Sequence, residues 1–293
     1  PPDQAAAIEE IIASLTADED ARPRRLFAAA DAALSAGRSE EALDYLAEPL
    51  AQEEPCLRAA ALRLQGRIEY FNGRPKEAGA VLVEASELLE DIDRELAVEI
   101  CTESCSARLG VADAEGMLAS AERAEQLAAG LSNGHLRDLV TLTRGWVLCY
   151  VGRSDEGVPL LREAVEAAEG AEIDPLGLMR ISGALEWLDR SREAYRYTLR
   201  DVGQAREDGA VGLLPYLLYQ EAWHACRAGL LSEAFAAASE GLGLARELDL
   251  WLPRLQSLLI LAAITARRGT EAEFLAYFDE VEAPLEETGL VGY

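Results

Sequence analysis

The feature that most constrains this chain is a spacing. Seven turn positions, Gly37, Gly73, Ala112, Gly152, Asp189, Gly229 and Gly269, follow one another at intervals of 36, 39, 40, 37, 40 and 40 residues. Seven residues before each turn stands a small side chain: Ala30, Gly66, Cys105, Gly145, Ser182, Ala222 or Ala262. Five residues after each stand Ala42, Ala78, Met117, Gly157, Ala194, Ala234 and Phe274, small in five of the seven places. Two helices approach closely only where their side chains are short, and this spacing sets those positions on facing sides of a helical hairpin. A period of this length marks stacked supersecondary units that bury their apolar faces against one another. The expected architecture is an all-α, right-handed superhelical solenoid of about seven helix-turn-helix units, forming one structural domain.

The breakers fall where such units need them. In the second unit the turn Asn72-Gly73-Arg74-Pro75 separates helices predicted at about 55–72 and 76–90, with Gly suited to a helix end and Pro to a helix start. Glu54-Pro55, Ser132-Asn133-Gly134, Asp174-Pro175, Gly209 to Gly212 and Leu252-Pro253 lie where one unit hands over to the next. Ala, Leu and Glu dominate, and no window alternates at period two long enough to propose a strand. Units five and seven depart from the pattern, through Asp189 and Phe274, and unit seven is expected to cap the stack. Residues 1–20 carry one amphipathic stretch, Ala5 to Leu15, and read as a linker or the end of a preceding domain. The solenoid is expected over 21–284, with 285–293 as a tail. The opening Pro1-Pro2-Asp3 has no initiator Met, which suggests a segment of a longer cytoplasmic protein.

Charge and chemistry narrow the function. The formal charge is -26, from 53 acidic and 27 basic residues, and it opposes nucleic-acid binding, which needs clustered Lys and Arg. Five cysteines, Cys56, Cys101, Cys105, Cys149 and Cys226, are an odd number scattered at helical positions, which suits reduced thiols in a cytoplasm. Cys101 and Cys105 share a helix face, but His135 and His224 are the only histidines and lie far off in sequence, so no metal site is expected. No apolar run reaches the roughly 18 residues that span a bilayer. Phosphate loops, nucleophile elbows and zinc-protease helices are all missing, so neither catalysis nor a cofactor is expected.

Small residue, glycine turn and alanine, as in Gly66, Gly73, Ala78 and Ala85, resemble the tetratricopeptide pattern, although units of 36 to 40 residues exceed its 34. Gly73-Arg74-Pro75-Lys76-Glu77-Ala78, Gly229-Leu230-Leu231-Ser232-Glu233-Ala234 and the run from Ala237 to Leu250 are similar to the sensor region of large ATP-binding LuxR-family (MalT-like) transcriptional regulators. That resemblance implies a covalently linked NTPase module before the repeats and a DNA-binding module after them, with effector recognition by the repeats and a homo-oligomer left open.

The resemblance also implies which first-helix positions face the inside of the curve: two, three, six, ten and thirteen residues before each turn. Those places hold Tyr70, Phe71, Trp146, Tyr150, Trp187, Tyr216, Tyr219 and Trp223, with Arg63 and Arg67 on the same face in unit two and Arg227 and Arg267 near the other end. The aromatics either fill gaps between hairpins or line a groove, where flat apolar rings suit sugars, acyl groups or peptide side chains and arginines hold a carboxylate or phosphate. The candidate groove is Arg63, Arg67, Tyr70, Trp146, Tyr150, Trp187, Tyr216, Tyr219 and Trp223. Its occupant is either a small-molecule effector or, in a protein-interaction scaffold, a peptide or partner helix. In the scaffold reading the acidic chain predicts a basic, salt-sensitive partner. Arg192, Arg196 and Arg200 are expected to point outward, as a solvated face or a partner contact.

Overall fold

The computed structural model of the chain describes residues 21–109, 111–168 and 175–288. The amphipathic stretch Ala5 to Leu15 and the last five residues lie outside them. The described residues form fourteen helices and no strand, in seven consecutive hairpins. In chain order these are α1 (Arg22–Ser35) with α2 (Ser39–Leu50), α3 (Pro55–Phe71) with α4 (Pro75–Leu89), α5 (Arg94–Leu109) with α6 (Ala114–Ala128), α7 (Gly134–Tyr150) with α8 (Ser154–Ala168), α9 (Pro175–Trp187) with α10 (Ser191–Glu207), α11 (Leu214–Arg227) with α12 (Leu231–Glu247), and α13 (Trp251–Arg268) with α14 (Glu271–Thr288). The last helix runs on to Thr288, four residues past the end expected at 284.

One capping device closes all seven first helices. Each turn residue has positive φ: Gly37 (81°), Gly73 (74°), Ala112 (51°), Gly152 (85°), Asp189 (58°), Gly229 (81°) and Gly269 (75°). That left-handed kink lets the next amide reach back to the carbonyl five residues earlier, as Arg74 N–H does to Glu69 at 2.8 Å, Arg153 N–H to Leu148 at 2.8 Å and Leu230 N–H to Ala225 at 2.9 Å. The orphan carbonyls of the helix end are thereby satisfied, and the chain reverses within two residues. Ala112 and Asp189 adopt the same backbone as the glycines, at a steric cost that glycine avoids.

The small residues face each other as the spacing requires. A Cβ on Gly157 would lie 2.6 Å from Cys149 Sγ and 2.9 Å from Cys149 N, and one on Gly145 would lie 3.1 Å from the Gly157 carbonyl oxygen. Helices α7 and α8 therefore touch backbone to backbone. Burial is spread over several apolar clusters, each shared by neighbouring hairpins, as in a solenoid stabilised by nearest-neighbour contacts. The outer helix α14 leaves Leu275 and Phe278 exposed, whereas a capping unit presents a polar outer face.

The stack curves far enough to meet itself. Gly212 N–H, in the loop between α10 and α11, donates to the Ser35 carbonyl at the end of α1 (2.9 Å). Leu248 packs on Gly37, and the Trp251 ring lies on Gly73. The turns of the first two hairpins thus rest on the junctions before and after the sixth, and the concave side becomes a partly enclosed space.

Candidate functional site

That space is a half-open cavity of about 510 Å³. Every residue lining it comes from the first helix of a hairpin, α3, α5, α7, α9, α11 or α13. The second helices form the outside. This division follows from the cap: a reversal within two residues sets the second helix behind the first, so only the first helices see the axis.

Seven of the nine expected groove residues line the cavity: Tyr70, Trp146, Tyr150, Trp187, Tyr216, Tyr219 and Trp223. Trp187 and Trp223 remain 44% and 40% exposed, ring surface that no neighbouring hairpin covers. Tyr70 and Phe71 at the end of α3 meet Tyr216 of α11, with ring centroids 6.4 and 5.7 Å apart, and Tyr216 meets Tyr219 at 6.3 Å. This cluster joins unit two to unit six, so Tyr70 and Tyr216 combine both roles anticipated for the aromatics, packing and lining, while Phe71 packs without lining the cavity. Burial pushes the Tyr216 hydroxyl above the usual tyrosine range, against hydrogen bonds with Gln220 and Tyr70. The fourth tryptophan, Trp251, also lies against α3, on Gly73.

Arg63 and Arg67 are not part of the cavity wall. Glu103, one hairpin along on α5, takes Arg63 Nη2 at 2.6 Å and Arg67 Nη2 at 3.0 Å, and Glu99 takes Arg63 Nη2 at 3.1 Å. Burial acts to raise the Glu103 carboxyl, but the two guanidinium groups outweigh it and hold it below the usual carboxylate range. Burial likewise acts to lower Arg63, and the two carboxylates leave it raised. Cations expected to hold a ligand anion are thus neutralised within the protein. Arg267 reaches back to the Cys226 carbonyl (3.3 Å) and Sγ (3.1 Å), whereas Arg227 lines the cavity. Arg192, Arg196 and Arg200 are exposed, as expected.

Polar groups missed by the aromatic criterion complete the wall. Glu186 meets His224 Nδ1 at 2.8 Å through one oxygen and forms an ion pair with Arg227 Nε at 2.7 Å through the other. Gln256 of α13 and Arg180 of α9 also line the cavity. Glu186 and Gln256 stand three and thirteen residues before their turns, inside the inward-facing register, and widening the search beyond aromatic and basic residues would have found them. His224, five before its turn, falls just outside it. Two arginines against one glutamate leave the wall without acidic surplus, so the overall charge does not select a basic occupant.

Among the described residues no three His, Cys, Asp or Glu side chains are grouped to hold a metal, and no helix is long and apolar enough to cross a membrane. Cys101 and Cys105 are buried, and burial raises both thiols above the usual cysteine range.

No protein-family model and no curated protein matches the chain. Among solved structures it is similar to a Rap protein complexed with Competence and Sporulation Factor, with 15% identity, a TM-score of 0.62, and coverage of 98% of this chain and 84% of that one. Weaker likenesses are to a signal transduction ATPase with numerous domains from Pyrococcus horikoshii, which carries a tetratricopeptide repeat sensor (15% identity, TM-score 0.45, 96% of this chain and 44% of that one), and to aspartyl phosphate phosphatase F from Bacillus subtilis (12%, 0.46, 97% and 80%). The fold is therefore a tetratricopeptide-like helical-repeat solenoid.

Proposed function

We propose that this chain is a non-catalytic binding domain that encloses a short, largely apolar ligand within its ring, in the manner of a protein-interaction scaffold that captures a peptide segment. The observation that carries the reading is the wall itself: three tryptophans and four tyrosines from four repeats, the second, fourth, fifth and sixth, converge on one cavity. Its volume lies within the range of about 300 to 1,000 Å³ typical of ligand sites. Aromatic rings supply large contact area at low entropic cost, and the few polar groups fix orientation. The Rap protein of similar fold was solved in complex with a factor, which supports the use of such a solenoid as a receptor. His224, the histidine of the wall, is tied to Glu186. In a regulator of the LuxR kind, occupancy of this cavity is the input that shifts the population of states.

The reading is tested by thermal shift and tryptophan fluorescence against panels of capped peptides and small metabolites. A true occupant raises the melting temperature by mass action and changes the emission of Trp146, Trp187 or Trp223. Its affinity depends little on salt, because the wall carries almost no net charge. Stabilisation only by basic peptides, fading with salt and leaving the tryptophans unmoved, would place binding on the acidic outer surface and refute the cavity reading.

A further inference from the structure

Two polar groups in the cavity wall have unmet hydrogen-bonding capacity. Gln256 is 1% exposed, yet neither its Nε2 nor its Oε1 has a hydrogen-bond partner. His224 is also 1% exposed; its Nδ1 meets Glu186, and its Nε2 has no partner. Both residues line the cavity. A buried carboxamide without bonds carries the full desolvation penalty of its donors and acceptor, and native interiors rarely keep one without a reason. Gln256 stands thirteen residues before its turn, in the same inward register as Tyr216 of the preceding unit, so it faces the cavity because of the repeat.

A carboxamide offers a donor and an acceptor side by side. In a hydrogen-bonded antiparallel strand pair, the N–H and C=O of one residue point the same way and bond reciprocally to the residue opposite. A glutamine side chain can stand in for that opposite residue. Building on the cavity-binding reading above, we propose that Gln256 anchors an extended peptide by pairing with the N–H and C=O of one of its residues. The aromatic wall takes the side chains to either side. His224 supplies a further contact: its Nδ1 is engaged by Glu186, whose other oxygen pairs with Arg227, and its Nε2 is left for a polar group of the ligand. Main-chain bonds of this kind give affinity for peptides as a class, and the aromatic pockets select among them.

The test uses N-acetylated, C-amidated pentapeptides with aromatic and aliphatic side chains, with indole and decanoate as probes that lack an amide. The best pentapeptide is remade as a set of backbone esters, each replacing one N–H by oxygen. At one position the ester binds the native protein roughly tenfold more weakly, the loss of about one hydrogen bond. Gln256→Leu binds the parent peptide roughly tenfold or more weakly and no longer distinguishes it from that ester. The ligand-free Gln256→Leu protein melts at a higher temperature than the native one, because an unbonded buried amide has been removed. A lower melting temperature would mean that the carboxamide is satisfied within the fold and would overturn the proposal, as would undiminished peptide binding by the variant. If indole or decanoate binds and no pentapeptide does, the peptide anchor falls while cavity binding stands. If neither set binds, both fall.

Discussion

Ring closure can be broken at one atom. Gly212 has no positive φ, so alanine there carries no backbone strain, but its Cβ would lie 2.6 Å from Gly37 N and closer still to the Leu34 carbonyl oxygen. Real Cβ atoms essentially never approach within 3.0 Å. Both neighbours are main-chain atoms of the α1 cap, held by the Gly37 N–H bond to Leu34 at 2.8 Å, and they cannot turn aside as a side chain could. In Gly212→Ala the two walls must part, and the bond from residue 212 to the Ser35 carbonyl is lost. That bond contributes about 1 kcal/mol. Leu248 and Trp251, both half-buried, lose part of their contacts with Gly37 and Gly73, at a further cost of about 1 to 3 kcal/mol.

The cost falls on closure and on no hairpin's own packing. In a solenoid each repeat is held by its neighbours, so the helices stay folded when the ends separate. Small-angle scattering of Gly212→Ala should give a larger radius of gyration, far-UV circular dichroism should stay unchanged, and emission should shift to the red as Trp251 meets water. Gly243→Ala is the control: it lies inside α12 with nothing within 4 Å of the added methyl, and it should stabilise the protein by about 0.5 to 1 kcal/mol without changing its dimensions. A Gly212→Ala protein with the native radius of gyration, emission and stability would refute the closed ring.

Three further outcomes follow from particular contacts. Ala112→Gly relieves a left-handed alanine at an exposed turn and should raise stability by about 1 kcal/mol in denaturant titration, whereas Asp189→Gly should give less, since aspartate tolerates that backbone better. Glu103→Gln leaves Arg63 with only Glu99 and, since both partners are mostly but not wholly buried, should cost about 2 kcal/mol at neutral pH. The Glu103 carboxyl is held below its unfolded value, so its stabilisation is complete above about pH 5 and fades as pH falls through the folded value; the gap between native and variant proteins should narrow below about pH 4. Gly183→Leu projects a side chain from α9 where a Cβ meets nothing within 4 Å, and it should leave the melting temperature nearly unchanged while abolishing ligand-induced tryptophan signals, as checked by fluorescence titration.

Local chemistry repeated seven times was legible in the sequence. A left-handed turn residue followed by a helix start has a signature that survives even where Ala112 and Asp189 replace glycine, because the small residues on either side of the turn keep the register. The inward positions implied by the tetratricopeptide resemblance held Trp146, Tyr150, Trp187, Tyr216, Tyr219 and Trp223, and these line the cavity. Arg63 and Arg67 shared that register and left the site for a reason the register cannot carry. Their partner Glu103 stands on the next hairpin, and only the stacking distance between α3 and α5 decides that its carboxylate reaches both.

Closure lies further from what a sequence can show. Ser35 and Gly212 are 177 residues apart, and their hydrogen bond exists because small rotations between successive hairpins accumulate until the first and sixth meet. No single junction specifies that sum, so no local motif announces it. One closure residue had its own sign: Trp251 stands at the start of a helix and off the inward register, and looks misplaced when its repeat is read alone. Gly212 reads there as one more breaker between units. Gly212 lets one backbone reach another, and Trp251 covers Gly73, where any side chain would collide with it. What converts an open curved face into a half-open cavity is thus carried by the residues that break the repeat, while those that obey it supply the wall.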